Sequence, residues 1–115
     1  MADDEAQAGR ARALVAQGEL LLLLTVVLEA EWVLRIRYGV PRREVVSQLR
    51  TFASLPGITV EDPERLARAF DLAAEGMDLA DALHLAATPP GAAFVTFDRD
   101  LIRRAQGRDI PAREP

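Results

Sequence analysis

Asp-Leu-Ala-Asp-Ala-Leu-His-Leu-Ala-Ala-Thr-Pro-Pro-Gly-Ala-Ala-Phe-Val-Thr-Phe-Asp-Arg-Asp-Leu, residues 78–101, packs a helix, a turn, a strand and a helix start into one run. Asp78 is an N-cap residue type, and apolar residues then recur at helical spacing, which predicts a helix over 79–87. Pro89, Pro90 and Gly91 break the chain into a turn. Residues 92–97 form a short apolar run that reads as the clearest buried strand. Asp98 follows it, and a short helix is predicted over 99–105. Strands that alternate with helices imply βαβ units and a parallel sheet, so the fold class is α/β.

The rest of the chain repeats that alternation. Residues 5–17 carry Ala, Leu and Val at helical spacing, and Gly18 ends them. Residues 19–28 read as a buried strand and its exit. A helix over 28–38 would place Leu28, Trp32, Val33 and Ile36 on one side. Pro41 suits the first turn of the next helix, whose stripe is Val45, Leu49 and Phe52, and Pro56 and Gly57 stop it. Residues 58–60 are a short strand. Asp62-Pro63 starts a helix with Leu66, Ala69, Phe70 and Ala73 on its apolar face, and Gly76 is its C-cap. Ile110 is placed in an edge strand ended by Pro111.

Composition sets limits. With 115 residues and 50% hydrophobic content the chain is read as one domain over residues 1–115, with a single core. The run at 20–24 is ended by Glu29, far short of a bilayer span, and the acidic start has no signal-peptide character. The expected location is therefore the cytoplasm, with no membrane partner. Absence of cysteine excludes disulfides and thiolate zinc sites. The net charge of −4 excludes a generally basic nucleic-acid surface, though not a nuclease whose metals neutralise its acids.

Three acids stand where elements begin or end. Glu29 follows the run at 20–28, Asp81 opens a helix, and Asp98 follows the run at 92–97. In an open parallel sheet, ligands bind beyond the carboxyl ends of the strands. Gathered there, the three would suit a hard divalent cation, which takes oxygen ligands. Each also has a plain structural role, because carboxylates favour helix N-termini and Asp78, Asp98 and Asp100 are ordinary capping residues. His84, the only histidine, is read as a packing or surface residue. Trp32 and Phe52 lie on apolar stripes and are read as core or interface.

The local strings resemble the PIN domain family, the metal-dependent ribonucleases that include VapC-type toxins of bacterial toxin–antitoxin pairs. The resemblance covers about residues 5–111. Val-Val-Leu-Glu-Ala-Glu-Trp-Val-Leu-Arg-Ile-Arg-Tyr-Gly (26–39) is similar to the family's second strand and following helix, with Glu29 at the acidic position. Asp-Leu-Ala-Asp-Ala-Leu-His-Leu-Ala-Ala (78–87) resembles its second acidic motif, with Asp81 matching the metal-site aspartate. Phe-Val-Thr-Phe-Asp-Arg-Asp-Leu (94–101) is similar to the closing Thr-x-Asp motif and adds Thr96 and Asp98. The order and spacing of the three strings make the combination more specific than any one of them.

That resemblance implies a PIN-like three-layer α/β/α domain with a short, mainly parallel sheet. It implies a metal-dependent endoribonuclease in which Glu29, Asp81 and Asp98 hold Mg²⁺ or Mn²⁺ and Thr96 orients a water or the metal's surroundings. Asp78 and Asp100 would support them from behind. A small antitoxin and further copies of the chain would be partners. Read from the residues alone, Arg35, Arg37, Arg42 and Arg43 near one helix exit and Arg99, Arg103 and Arg104 after Asp98 could grip RNA phosphates, and a solvated charged face is the plainer reading of most of them. The departure from the pattern is at the start. The family opens with a strand ending in Asp, then Thr or Ser, then Asn, and Asp3 and Asp4 follow no apolar run that would match it. The expectation is a truncated, misplaced or degenerate start, with weak metal binding and impaired cleavage. Residues 20–26 would then pair with 92–97, or a second chain would cover the exposed edges. The alternative is a non-catalytic PIN-like remnant that acts as an antitoxin-binding or oligomeric interaction module. A third reading is an α/β domain with no retained role.

Overall fold

The computed structural model describes residues 6, 9–10, 12–13, 16–18, 20–89, 91–106 and 111–115. They are mixed α/β with short parallel strand pairs. The chain divides into two compact units, Met1–Asp62 and Pro63–Pro115.

In the first unit the described positions between 6 and 17 are helical, and Gly18 ends the segment with φ +73°. Strand β1 (Leu20–Leu22) is followed at once by helix α1 (Leu24–Trp32), a π-helical turn (Val33–Arg37), helix α2 (Arg42–Ala53) and strand β2 (Ile58–Val60). β1 and β2 pair in parallel, Leu20 with Ile58 and Leu22 with Val60. The apolar run at 19–28 is thus strand for three residues only, which corrects the sequence expectation. The reason is a cap from afar. No side chain at Leu23 caps α1, but Glu61, 37 residues beyond Leu24, accepts the Leu24 N–H at 2.9 Å. A helix N-terminus needs such an acceptor, and nothing near Leu24 in the chain advertises it.

The expected stripe of α1 is also corrected. Leu24, Val27 and Glu31 are its buried residues, whereas Trp32 and Ile36 are about half exposed. Arg35 reaches back one turn to Glu31 (Nε–Oε1 2.6 Å), so the carboxylate sits on the buried side with a partner. Pro41 proves to be the N-cap of α2, just before its first turn. α2 buries Val45 and Val46, and Phe52 stays exposed.

The second unit follows its sequence pattern closely. Helix α3 (Pro63–Ala74) buries Leu66, Ala69, Phe70 and Ala73 and packs against α4 (Leu79–Ala87), which buries Leu79, Ala82, Leu83, Leu85 and Ala86. Each fully buried leucine contributes about 1.5–3 kcal/mol. Arg65 Nε donates to the Leu83 carbonyl at 3.1 Å across the same pair. Between the helices Gly76 adopts φ +109°, a left-handed conformation that favours glycine, and the Arg104 guanidinium seats on its carbonyl at 2.9 Å. Strand β3 (Phe94–Val95), helix α5 (Arg99–Ala105) and strand β4 (Ala112–Arg113) complete the unit.

β3 pairs in parallel with β4, through Phe94 N–H to Pro111 O and Thr96 N–H to Arg113 O. Residues 92–97 are therefore not a buried strand. Two of them pair, and Val95 and Phe97 are exposed. The strands at 20–22 and 94–95 each take a different neighbour from the one expected, β2 and β4. Pro111 precedes the last strand and does not end it, and the expected edge position of Ile110 lies outside the described residues. No described helix is long and apolar enough to cross a membrane.

Candidate functional site

The acids of the second unit are placed by helix starts. Asp78 caps α4, its Oδ2 accepting from Ala80 N at 3.1 Å and from Asp81 N at 3.4 Å. Asp81 follows in the first turn and is partly buried. Asp98 caps α5 through Oδ1, which accepts from Asp100 N at 3.0 Å and Leu101 N at 3.2 Å. Its Oδ2 has no partner among the described residues. Thr96 Oγ1 accepts the Asp98 N–H at 3.1 Å, so this hydroxyl fixes the backbone that carries the acid.

These positions have an electrostatic consequence. Burial pushes the Asp81 carboxyl above its ordinary value, and the negative charges of Asp78 and Asp98 push it further, against weaker opposing pulls from His84 and Arg104. A crowded, partly desolvated aspartate of this kind marks a place where positive charge is wanted. The chemistry fits a small hard cation. Magnesium needs only one or two carboxylates plus substrate phosphate, and Asp81 and Asp98 are two oxygen donors of the right kind. Among the described residues no group of three or more histidine, aspartate or glutamate side chains is close enough to cage an ion.

The other candidates fall as follows. Glu29 lies on α1 in the first unit, exposed, and its side chain makes no hydrogen bond or ion pair among the described residues. The buried carboxylate of that helix is Glu31, which the sequence reading passed over. Its signal was present, since Glu31 continues the Leu24–Val27 stripe and Arg35 stands at i+4. Asp100 is exposed and ion-paired with Arg103 one turn on. Asp100, Arg103 and Arg104 line a shallow depression of about 330 Å³. Arg99 is exposed and pairs with Glu114 at 3.0 Å. Such exposed pairs are worth about 0–1 kcal/mol, so either arginine exchanges its partner for a phosphate at little cost. Arg104 gains weight beyond the sequence reading, because it is both anchored on Gly76 and felt by Asp81. His84 is a surface residue, its ring stacked on Phe94 with centroids 5.9 Å apart. Trp32 and Phe52 are not core.

The sequence model of the PIN domain matches residues 1–107. The chain belongs to the PIN domain family. Comparison with curated proteins and with solved structures gave no match. Membership carries a nuclease-type function and nucleic-acid binding, and PIN domains are typically dependent on a divalent metal. Within this PIN domain, the negative charge of Asp98 is felt by the Asp81 carboxyl.

Proposed function

We propose that this PIN domain is a metal-dependent endoribonuclease of the VapC toxin type, working as part of a toxin–antitoxin pair. The observation that carries the proposal is Asp81, held in a helix start with its carboxyl raised by burial and by Asp78 and Asp98, in a chain matched by the PIN family over residues 1–107. Asp81 and Asp98 would hold Mg²⁺ or Mn²⁺ as the oxygen donors of the second unit. When bound, the ion supplies a water of lowered pKa and neutralises charge at the scissile phosphate.

The chain's own residues do the rest. Thr96 fixes the backbone of Asp98, and Asp78 fixes the start of the helix that bears Asp81. Asp100 holds Arg103 in place by an ion pair. Arg99 and Arg103 take phosphates along the strand, positioning RNA without reading its sequence. A mixed-sequence RNA incubated with Mg²⁺ or Mn²⁺ should be cut, and chelation or Asp81→Asn should stop the cutting. No cleavage with either metal, or an Asp81→Asn protein that cuts at the same rate, would sink the proposal.

One observation favours a second reading, in which the chain is a non-catalytic module that binds an antitoxin or its own copies. The first unit exposes Leu21, Leu23, Val26, Trp32, Ile36, Tyr38, Phe52 and Leu55. Large apolar side chains exposed in this number are what a protein partner would cover. Sedimentation decides the homo-oligomeric part, and recovery of a small bound protein at fixed stoichiometry without RNA cleavage would establish the module reading in full.

A further inference from the structure

We propose that Phe97 is a stacking platform for an unpaired base of a single-stranded RNA substrate, set one residue before Asp98. The inference rests on the nuclease reading above and adds how the strand is held. Phe97 is the most exposed large apolar side chain described, at 83%. Strand alternation explains why. Phe94 and Thr96 face inward, and Val95 and Phe97 face out. The ring does not hang on a loose segment. Thr96 Oγ1 holds the Asp98 N–H on one side of it, and the Asp98 cap on α5 fixes the other.

The surroundings choose the occupant. A protein partner needs a broad apolar patch. In the second unit the described large apolar residues left exposed are Val95 and Phe97 alone, and the next three residues are Asp98, Arg99 and Asp100. One aromatic ring among charges, with an exposed arginine beside it, is the composition of a single-strand site, where bases stack on aromatic faces and cations follow the phosphates. Arg99 lies next in the chain, joined to Glu114 by an exposed ion pair that a phosphate can displace. A base on Phe97 would seat its neighbouring phosphate close to Asp98, which is where the proposed cleavage takes place.

The test uses the full chain with Mn²⁺ and steady-state cleavage of a short single-stranded RNA. Phe97→Ala should raise KM by about five- to a hundredfold with kcat largely kept, the loss expected for one stacked base. Phe97→Trp should restore KM. Removing single bases from the RNA while keeping its sugar–phosphate chain should, at one position, give the natural protein the KM of Phe97→Ala and leave that variant unchanged. Circular dichroism checks that the variants fold. An unchanged KM for Phe97→Ala overturns the proposal while the nuclease reading stands. So does a variant that sediments as a smaller species with its KM intact, because Phe97 is then a protein contact. If the natural protein cuts no RNA, the nuclease reading fails and this inference falls with it.

Discussion

Helix α4 and helix α1 are equal in length, both apolar, and both carry an acid assigned to the site, yet they behave differently. α4 is capped by its own Asp78, buries five of its nine residues and holds Asp81 partly buried among like charges. α1 is capped by Glu61 from 37 residues away, buries Leu24, Val27 and Glu31, and leaves Trp32 and Glu29 exposed. The lesson concerns where the specifying information lies. A helix whose cap, stripe and acid are local fixes its acid's environment. A helix whose cap and buried charge depend on distant or one-turn partners does not show that environment in its motif.

The largest expected effect strikes α1 at the ion pair of its buried Glu31 with Arg35. Arg35→Ala leaves the Glu31 carboxylate buried without that partner and should cost about 3–5 kcal/mol in urea denaturation. A paired apolar replacement, Glu31→Leu with Arg35→Met, should recover most of the loss. A small loss for Arg35→Ala would mean Glu31 reaches water, and the contrast between the two helices would weaken.

Next come the apolar residues. Leu85→Ala in α4, at a fully buried position, should cost about 2–5 kcal/mol. Trp32→Ala in α1, half exposed, should cost under about 1 kcal/mol despite the larger side chain. Equal costs measured by chemical denaturation would show that Trp32 is covered in solution, as the partner-binding reading expects.

Those numbers also show what was legible in the chain. The stripe Leu66, Ala69, Phe70, Ala73, the Asp78 cap and the strand at 58–60 could be read because each rests on spacing or on a neighbour within a turn. Asp81 and Asp98 could be placed for the same reason. The start of α1 could not, because its cap comes from Glu61. Neither could the shrinkage of the run at 92–97 to two paired residues. Its partner Ala112–Arg113 follows a proline that reads as a strand's end. Hydrophobicity marked Phe97 as buried, and only the pairing geometry shows that it faces out.

Two smaller effects sharpen the account of α4. Asp78→Ala removes an N-cap and should cost about 1 kcal/mol, read as a lower Tm. Asp81→Asn should act in the opposite direction at neutral pH. A carboxyl raised in the folded state stabilises the fold only while it is protonated, fully below 3.8 and no longer once pH rises past its folded value. Above that value the charged Asp81 is a liability, so the asparagine variant should melt at the same or a slightly higher temperature while its cleavage is lost. A lower Tm for the variant above that pH would remove the claim that Asp81 is electrostatically strained.

The central claim is that Asp81 sits in a crowded acidic site that a divalent cation relieves. The most direct measurement is the titration of its side-chain carboxyl carbon by NMR, without metal and then with Mg²⁺. The account predicts a midpoint above 3.8 without metal and a clear fall when the ion is added. An ordinary midpoint that Mg²⁺ leaves in place would contradict it.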